Sequence, residues 1–323
     1  MNHLEAIQAI NKLASARKPF LFLVDFEMEK IKVWEAGEIP EGILFQLGPY
    51  SNFSSYTTTH SELAIKAVKA FPKKKYLKAF QRVQEEIHYG NSFLLNLTAK
   101  SRVYSKLSLH ELFLASEAPY KFLFDKHFVC FSPESFIKID DYSISSFPMK
   151  GTIDADIDDA VQIILADEKE KAEHNTIVDL IRNDMSRYAK NVHVHRFRYI
   201  DKIETPEKNL LQVSSEVCGD LPENFHDILG DIIFSQLPAG SISGAPKHKT
   251  LEIIKEVEEG DRSYYTGVAG FYDGKSLDSC VLIRYIEDDN GQLYYRSGGG
   301  ITFMSKAEEE YKELLQKIYV PTS

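Results

Sequence analysis

The chain has 323 residues, of which 43% are hydrophobic and 12% aromatic, an ordinary composition for a globular protein with a substantial core. Its formal net charge is −10 at pH 7 and it has no long basic run, which argues against a nucleic-acid partner. No apolar stretch approaches the roughly 18–20 residues of a membrane-spanning helix, and the first residues do not have a signal-peptide pattern, so no membrane partner is expected.

Hydrophobic periodicity predicts helices and strands in groups along the chain. For example, Tyr76, Phe80 and Val83 recur at helical spacing and would share one buried helix face. Strands grouped together, without strict alternation with helices, indicate an α+β protein. In chain order we predict a helix at 4–16, a strand hairpin at 20–35, an irregular segment at 45–58, a helix at 74–89, a strand at 92–103, a helix at 107–115, two strands at 120–139, a strand at 142–149, an acidic helix at 170–184, strand segments at 193–197 and 210–212, helices at 223–235 and 247–258, a strand pair at 264–273 and 278–287, a strand at 292–297 and a helix at 305–319.

A lysine stands next to a glycine in the segment Pro148-Met149-Lys150-Gly151-Thr152. Pro148 fixes its own φ angle, and Gly151 permits a turn or the close approach of a ligand, so we expect Lys150 at the end of a strand, facing a partner. A lysine there can act as an amine nucleophile if its surroundings keep it neutral. On these residues alone, a solvated loop lysine is the commoner interpretation.

Two pairs of acidic residues have helical spacing. Glu170 and Glu173 lie three apart on one predicted helix, and Glu310 and Glu313 lie three apart on another, so each pair shares a helix face. Two such helices facing each other could hold Mg²⁺, which prefers oxygen ligands. Acidic helix faces are otherwise usually solvated, and that alternative stays open from spacing alone.

Two glycine-rich stretches are candidates for binding an anion. The first, 240–247, lacks the Gly-Lys-Ser/Thr ending of a nucleotide-binding loop, so it predicts a glycine-rich turn whose backbone amides face a carboxylate. The second, 297–300, exposes bare backbone in the same way. Arg284 suits bidentate pairing with a carboxylate, although an arginine at a strand end is commonly a surface residue.

Taken together, these segments resemble the chorismate-utilising enzymes, and they run in the family's order over roughly residues 75–320. The resemblance implies two large antiparallel sheets packed together, with helices on the outer faces. It also implies one compact unit, with a shortened N-terminal segment at 1–73 and a chorismate-binding catalytic region at 74–320. The matching segments are PMKGT at 148–152, EKAEHNTIVDLIRND at 170–184, LPAGSISGAPKHKTLEII at 237–254, GVAGFYDGKSLDSCVLIR at 267–284, SGGGI at 297–301 and EEEYKE at 308–313.

The resemblance also assigns roles within the site. Lys150 looks like the nucleophile of the aminodeoxychorismate synthase component I type, because other members commonly have alanine there, and Glu134 matches the acid that protonates a departing ring hydroxyl. Glu173 and Glu313 match the Mg²⁺ ligands, with Glu170 and Glu310 acting through water or by orienting the site. The positions matching substrate contacts are Gly151, Thr152, Gly240, Ser241, Tyr265, Arg284, Gly298, Gly299 and Lys317.

The implied reaction converts chorismate and ammonia to 4-amino-4-deoxychorismate, a step towards p-aminobenzoate and folate. Leu94 stands where members that use water carry a lysine base, and a leucine cannot activate water. Gln212 replaces a frequent histidine, and Ser135 replaces a usual arginine. The alternatives are an anthranilate synthase large subunit and a catalytically inactive chorismate-binding subunit.

The cysteines bear on both location and partners. Cys130, Cys218 and Cys280 are widely spaced and fit no disulfide framework, so a reducing compartment, the cytoplasm, is expected. None lies in a glycine-flanked nucleophile elbow, so the chain is not expected to be its own glutaminase. The resemblance therefore implies free ammonia or a separate glutamine amidotransferase subunit.

Overall fold

The computed structural model describes residues 1–54, 64–204 and 209–321. Within these ranges, no helix has both the length and the apolar character that crossing a membrane requires. Short 3-10 helices at Ala36–Glu38 and Phe225–Ile228 supplement the α-helices. The α-helices are α1 His3–Ser15, α2 Lys73–His88, α3 Leu109–Ala115, α4 Ala160–Ala166, α5 Glu168–Met185, α6 Leu229–Ser235, α7 Gly240–Ser243, α8 Lys247–Val257 and α9 Ala307–Gln316.

The strands of the described residues fall into two sheets. They are β1 Phe20–Val24, β2 Lys32–Glu35, β3 Ile43–Leu47, β4 Tyr50–Ser51, β5 Ala67–Lys69, β6 Leu94–Tyr104, β7 Tyr120–Phe124, β8 Phe128–Ser132, β9 Ser135–Asp140, β10 Ser143–Ser146, β11 Met149–Asp154, β12 Lys190–Glu204, β13 Asn209–Asp220, β14 Gly244–Ala245, β15 Val268–Tyr272, β16 Leu277–Val281, β17 Tyr285–Asp289 and β18 Gln292–Ile301.

Both sheets are antiparallel and each has nine strands among the described residues. The first runs β11-β13-β10-β9-β16-β15-β1-β2, with β12 also on β13. The second runs β14-β6-β18-β17-β8-β7-β3-β4, with β5 also on β6. The predicted architecture, two large antiparallel sheets with helices, is confirmed.

Strand β1 shows how the core is divided. Its sequence, FLFLV, is apolar throughout and fully buried, which is typical of a strand covered on both faces. Leu21 and Leu23 pack with Phe45 and Phe122 of the second sheet. The alternate residues of β1, such as Phe22, join a separate cluster with the helices. Since successive side chains point to opposite faces, one strand links the core between the sheets to the core beneath the helices.

Several predicted boundaries were wrong for identifiable reasons. The segment predicted to be irregular, 45–58, overlaps β3, in which Ile43, Phe45 and Leu47 alternate as buried residues, and includes β4. Its part at 55–58 lies outside the described residues. The two strands predicted at 120–139 are three, because Pro133 and Glu134 interrupt the second one, where the chain passes from β8 of the second sheet to β9 of the first. The spacer before the acidic helix contains α4, which was not predicted.

The N-terminal strands take part in both sheets. Strand β1 pairs with β15 in the first sheet, and β3 pairs with β7 in the second. The predicted strand at 278–287 is divided between the sheets, since β16 pairs with β15 whereas β17 pairs with β18. The first sheet therefore delivers β11 to the site, and the second delivers β18.

Candidate active site

Lys150 lies within strand β11 and not at a strand end as predicted. It is opposite Val213 of β13, and the next paired residue is Thr152, opposite Gln212, so Gly151 is the extra residue of a bulge. Gly151 has φ +78°, a left-handed conformation that a side chain would strain. The bulge interrupts the strand beside Lys150, whose side chain is only 17% exposed. A bulge of this kind re-aims a strand's side chains.

Helix α5 brings its acidic residues to this lysine. Asp167 caps the helix by accepting a hydrogen bond from the Glu170 backbone N–H at 2.9 Å. Glu173 is 3% exposed; its Oε2 lies 3.5 Å from Lys150 Nζ, and its Oε1 lies 3.6 Å from Lys169 Nζ. Burial, followed by the charge of Glu173, raises the pKa of Glu170 to about 7.

The surroundings of Lys150 act on its pKa in two directions. Burial would lower the pKa of Lys150, but the surrounding carboxylates, led by Glu173 and Glu170, outweigh burial and raise it. The carboxylates around Lys150, with Glu173 3.5 Å from its Nζ, therefore favour the charged form of the lysine. A neutral amine at this position requires that the proton be lost first.

Helix α9 supplies the opposing acidic residues. Glu310 is almost fully buried and accepts a hydrogen bond at 2.6 Å from Lys169 of α5. Glu313 pairs with Lys317 at 2.6 Å. Burial would raise the pKa of Glu313, but the charge and hydrogen bond of Lys317 lower it overall. The two acidic helices therefore meet, as expected, with lysines between their carboxylates.

The glycines of β18 form the surface on which these carboxylates lie. A Cβ at Gly300 would be 2.7 Å from Glu173 Oε2 and 3.2 Å from Lys150 Nζ. A Cβ at Gly299 would be 3.4 Å from Glu310 Oε2 and 3.5 Å from Glu313 Oε1. The stretch at 297–300 is therefore strand and not the predicted turn, and its missing side chains make room for the charged groups.

Glu134 lies directly before β9 and is 8% exposed. Ser241 Oγ donates a hydrogen bond to its Oε1. Burial raises the pKa of Glu134, although Ser241 and the charge of Lys150 act in the opposite direction. A small pocket adjoins Glu134 and is also lined by Ser135 and Gly240. A buried carboxyl of this kind can hold a proton for a reacting group.

The segment that carries Ser241 is helical. Gly240 and Ser241 belong to the four-residue helix α7, where we predicted a glycine-rich turn. A Cβ at Gly240 would be 2.8 Å from Leu180 Cδ2, so glycine allows α7 to pack closely on α5.

Arg284 and Lys317 lie at the same end of the molecule. Arg284 Nη1 donates to the Lys317 backbone carbonyl at 3.2 Å, and its buried Nε has no hydrogen-bond partner among the described residues. Lys317 Nζ donates to the Gly298 carbonyl at 2.8 Å. Tyr265 is buried, with its ring 5.7 Å from that of Tyr285. An unpaired guanidinium nitrogen is available to a carboxylate oxygen.

Thr152 is the predicted contact that stands apart. It is exposed, beyond the bulge, and its register partner is Gln212, the residue that replaces the family's histidine.

Sequence reasoning also missed two residues. Lys169 could have been found from its i,i+4 spacing to Glu173. His174, whose Nε2 lies 2.6 Å from Ser215 Oγ, gave no signal apart from its place in the motif.

The donor set suits a hard divalent cation. Three carboxylates, those of Glu173, Glu310 and Glu313, lie beside the glycines of β18, and that of Glu170 lies beside Gly151 of β11. Glu173 Oε1 is buried without a hydrogen-bond partner among the described residues. Oxygen donors of this type fit Mg²⁺. Within the described ranges, however, no three acidic, histidine or cysteine side chains converge closely enough to hold an ion as they stand.

Comparisons with known proteins identify relatives of the chain. Over 317 residues, the chain is 46% identical to an uncharacterized PabA-like protein of Haemophilus influenzae, with 98% of this chain and 96% of that protein covered. It is 32% identical over 261 residues to aminodeoxychorismate synthase component 1 of Escherichia coli, covering 76% of this chain and 56% of that protein. It is also 32% identical over 260 residues to anthranilate synthase component 1 of Archaeoglobus fulgidus, covering 78% of this chain and 62% of that protein.

The fold has solved counterparts. The structure of the menaquinone-specific isochorismate synthase from Escherichia coli superposes with a TM-score of 0.73 at 16% identity, covering 97% of this chain and 80% of that one. The sequence model of one family, described as chorismate binding enzyme, matches residues 45–323. From the fold, the site and these matches together, the chain belongs to the chorismate binding enzyme family.

Proposed function

We propose that this protein is an aminodeoxychorismate synthase component, which converts chorismate and ammonia to 4-amino-4-deoxychorismate. The observation that carries the proposal is the position of Lys150. Its amine lies 3.5 Å from Glu173 in a largely buried site, and its charge acts on the buried acid Glu134. A nucleophilic amine and a proton-holding acid in one site are the parts that a substitution at a ring carbon needs.

The proposed reaction has two displacement steps. After passing its proton to the carboxylate of Glu173, 3.5 Å away, Lys150 Nζ forms a bond to C2 of chorismate, the conjugated double bonds shift, and the C4–O bond breaks. Glu134 donates its proton to the departing hydroxyl, which leaves as water. Ammonia then forms a bond to C4, the double bonds shift back, and the bond between C2 and Lys150 breaks. Two successive displacements retain the configuration at C4 and leave the enolpyruvyl group in place.

Leu94 supports ammonia over water as the incoming nucleophile. A Cβ at Gly300 would be 3.0 Å from Leu94 Cδ1 and 3.2 Å from Lys150 Nζ, so the leucine lies on the same side of the site as the amine. An apolar side chain there cannot take a proton from water.

Charged groups around the site would hold the rest of the reactants. Glu173 and Glu313 would hold Mg²⁺, with Glu170 and Glu310 orienting the site, and when bound the ion would draw negative charge from the ring carboxylate of the substrate. The unpartnered Nε–H of Arg284 would donate a hydrogen bond to a substrate carboxylate oxygen. Ammonia would come from solution or from a glutamine amidotransferase partner, and the reaction would belong to p-aminobenzoate and folate synthesis in the cytoplasm.

Product identification tests the proposal. Purified protein is incubated with chorismate, MgCl₂ and ammonium chloride, and the products are resolved by mass spectrometry. We expect 4-amino-4-deoxychorismate with its enolpyruvyl group intact. Fluorescent anthranilate together with pyruvate would instead make the protein an anthranilate synthase, and chorismate binding without turnover at high ammonium would make it an inactive binding subunit.

The lysine step has its own test. Lys150→Ala should lower amination by at least about a hundredfold, because it removes the nucleophile. Lys171→Ala is the control: Lys171 pairs at 3.4 Å with Glu168 on the exposed face of α5, and it has no role in the site. Turnover by Lys150→Ala equal to that of the control would refute a covalent lysine intermediate.

A further inference from the structure

Lys169 lies between the two acidic helices. Its Nζ is 2.6 Å from Glu310 Oε1 on α9 and 3.6 Å from Glu173 Oε1 on its own helix. Both carboxylates are almost fully buried, whereas the lysine side chain is 25% exposed. One ammonium therefore bridges two buried carboxylates and joins α5 to α9.

The position of Lys169 on its helix makes this arrangement conditional on its partners. Lys169 is the second residue of α5, at the end where the helix dipole is positive and disfavours a cation. The attraction of Glu310 and Glu173 must outweigh that effect. Because the side chain starts at the helix end and reaches solvent, it can rotate outward if another cation takes its place.

A divalent cation would need the same oxygens. Mg²⁺ binds carboxylate oxygens at about 2.0–2.1 Å, closer than the ammonium now lies to Glu310. Two cations cannot share that oxygen at contact distance without strong repulsion. We infer that Lys169 is an internal counter-cation that occupies the metal-binding carboxylates in the ion-free protein and must be displaced before a divalent cation binds. This inference rests on the metal site in the proposed function.

The test measures Mg²⁺ binding directly, without substrate or turnover. MgCl₂ is titrated by calorimetry into the wild type, Lys169→Met, Lys169→Arg and Lys171→Met. Methionine keeps an unbranched side chain and removes the charge, whereas arginine keeps the charge. Lys171→Met changes the net charge equally on the same helix but outside the site.

The inference predicts an increase in affinity, which general damage to the site would not produce. Lys169→Met should bind Mg²⁺ at least about tenfold more tightly than the wild type, since a repelling charge a few ångströms away is gone. Lys169→Arg and Lys171→Met should stay within about threefold of the wild type. Without Mg²⁺, Lys169→Met should unfold at a lower temperature than Lys171→Met, and added Mg²⁺ should close the gap.

The outcomes separate this inference from the proposed function. If the wild type binds Mg²⁺ and Lys169→Met binds it equally or more weakly, Lys169 is not displaced and the inference is wrong while the metal site stands. If neither the wild type nor any variant binds Mg²⁺, the metal site itself is wrong, and the inference falls with it. The reaction is judged separately, by its product.

Discussion

Replacing Arg262 should destabilise the whole fold. This side chain is 1% exposed and pairs with Glu258 through two hydrogen bonds, from Nε at 2.8 Å and from Nη2 at 2.7 Å. It also donates to the backbone carbonyls of Ile242 at 2.8 Å and Asn96 at 2.6 Å. Its guanidinium lies 4.5 Å from the ring centre of Phe26. It thus connects α7, β6 and the end of α8.

The magnitude follows from what Arg262→Met leaves behind. Methionine fills much of the space of the stem, so the apolar loss is small, but Glu258 remains as a buried carboxylate without its cation. Breaking a buried ion pair in this way typically costs about 3–5 kcal/mol, and two carbonyls losing their donors add about 1 kcal/mol or more. The free energy of unfolding should therefore fall by roughly 4–6 kcal/mol, a large share of typical protein stability.

Urea unfolding followed by circular dichroism measures this loss. The matched control is Arg182→Met, which breaks the ion pair with Asp179 at 3.4 Å on a side chain that is 47% exposed, and should cost about 1 kcal/mol or less. Adding Glu258→Gln to Arg262→Met should restore part of the stability, because no buried charge is then left unpaired. A loss below about 1 kcal/mol for Arg262→Met, similar to the control, would refute the reasoning.

Three further changes test the site and the acid stability of the fold. Ser241→Ala removes a hydrogen bond that favours the ionised form of Glu134, so it should raise the pKa of that carboxyl. The alkaline limb of the pH profile of kcat should then move to higher pH, and an unchanged profile would contradict this role of Ser241. Gly300→Ala places a Cβ 2.7 Å from a carboxylate oxygen, whereas Gly299→Ala places one 3.4 Å from its nearest atom. In calorimetry, Gly300→Ala should therefore weaken Mg²⁺ binding at least about tenfold more than Gly299→Ala does. Equal losses of affinity would argue against this geometry. Burial lowers the pKa of His226 from 6.5 to about 4, so between these pH values the unfolded chain binds a proton that the folded protein does not. The free energy of unfolding should therefore fall as pH decreases from 6.5 to 4, by up to about 1.4 kcal/mol per pH unit more than in His226→Asn. Urea unfolding measures this, and an equal pH dependence in the two proteins would contradict it.

Local sequence signals predicted most helices and strands, but not which strands pair with each other. Helices α2, α5, α8 and α9 have clear apolar faces or caps, and they occur where the periodicity indicated. The separation of β16 from β17 into different sheets depends on pairing with strands far along the chain. No local pattern carries that information.

The candidate site was predictable only through the family resemblance. Spacing placed Glu170 with Glu173, yet only the fold brings Lys169 to Glu310, which is 141 residues away. The balance of effects on the charge of Lys150 could not be read from the sequence for the same reason. Burial of a lysine favours the neutral amine, and the opposing carboxylates come from segments that the sequence does not show to be neighbours.

The order in which the site's parts are made has a consequence for synthesis in the cell. Helix α9 brings Glu310 and Glu313 after both sheets have received their strands. A nascent chain on the ribosome can therefore fold much of its scaffold while the charged cluster is still incomplete. Proteolytic clipping ahead of α9 would likewise leave a scaffold with half of its carboxylates, so the competence to react would be acquired late and lost early.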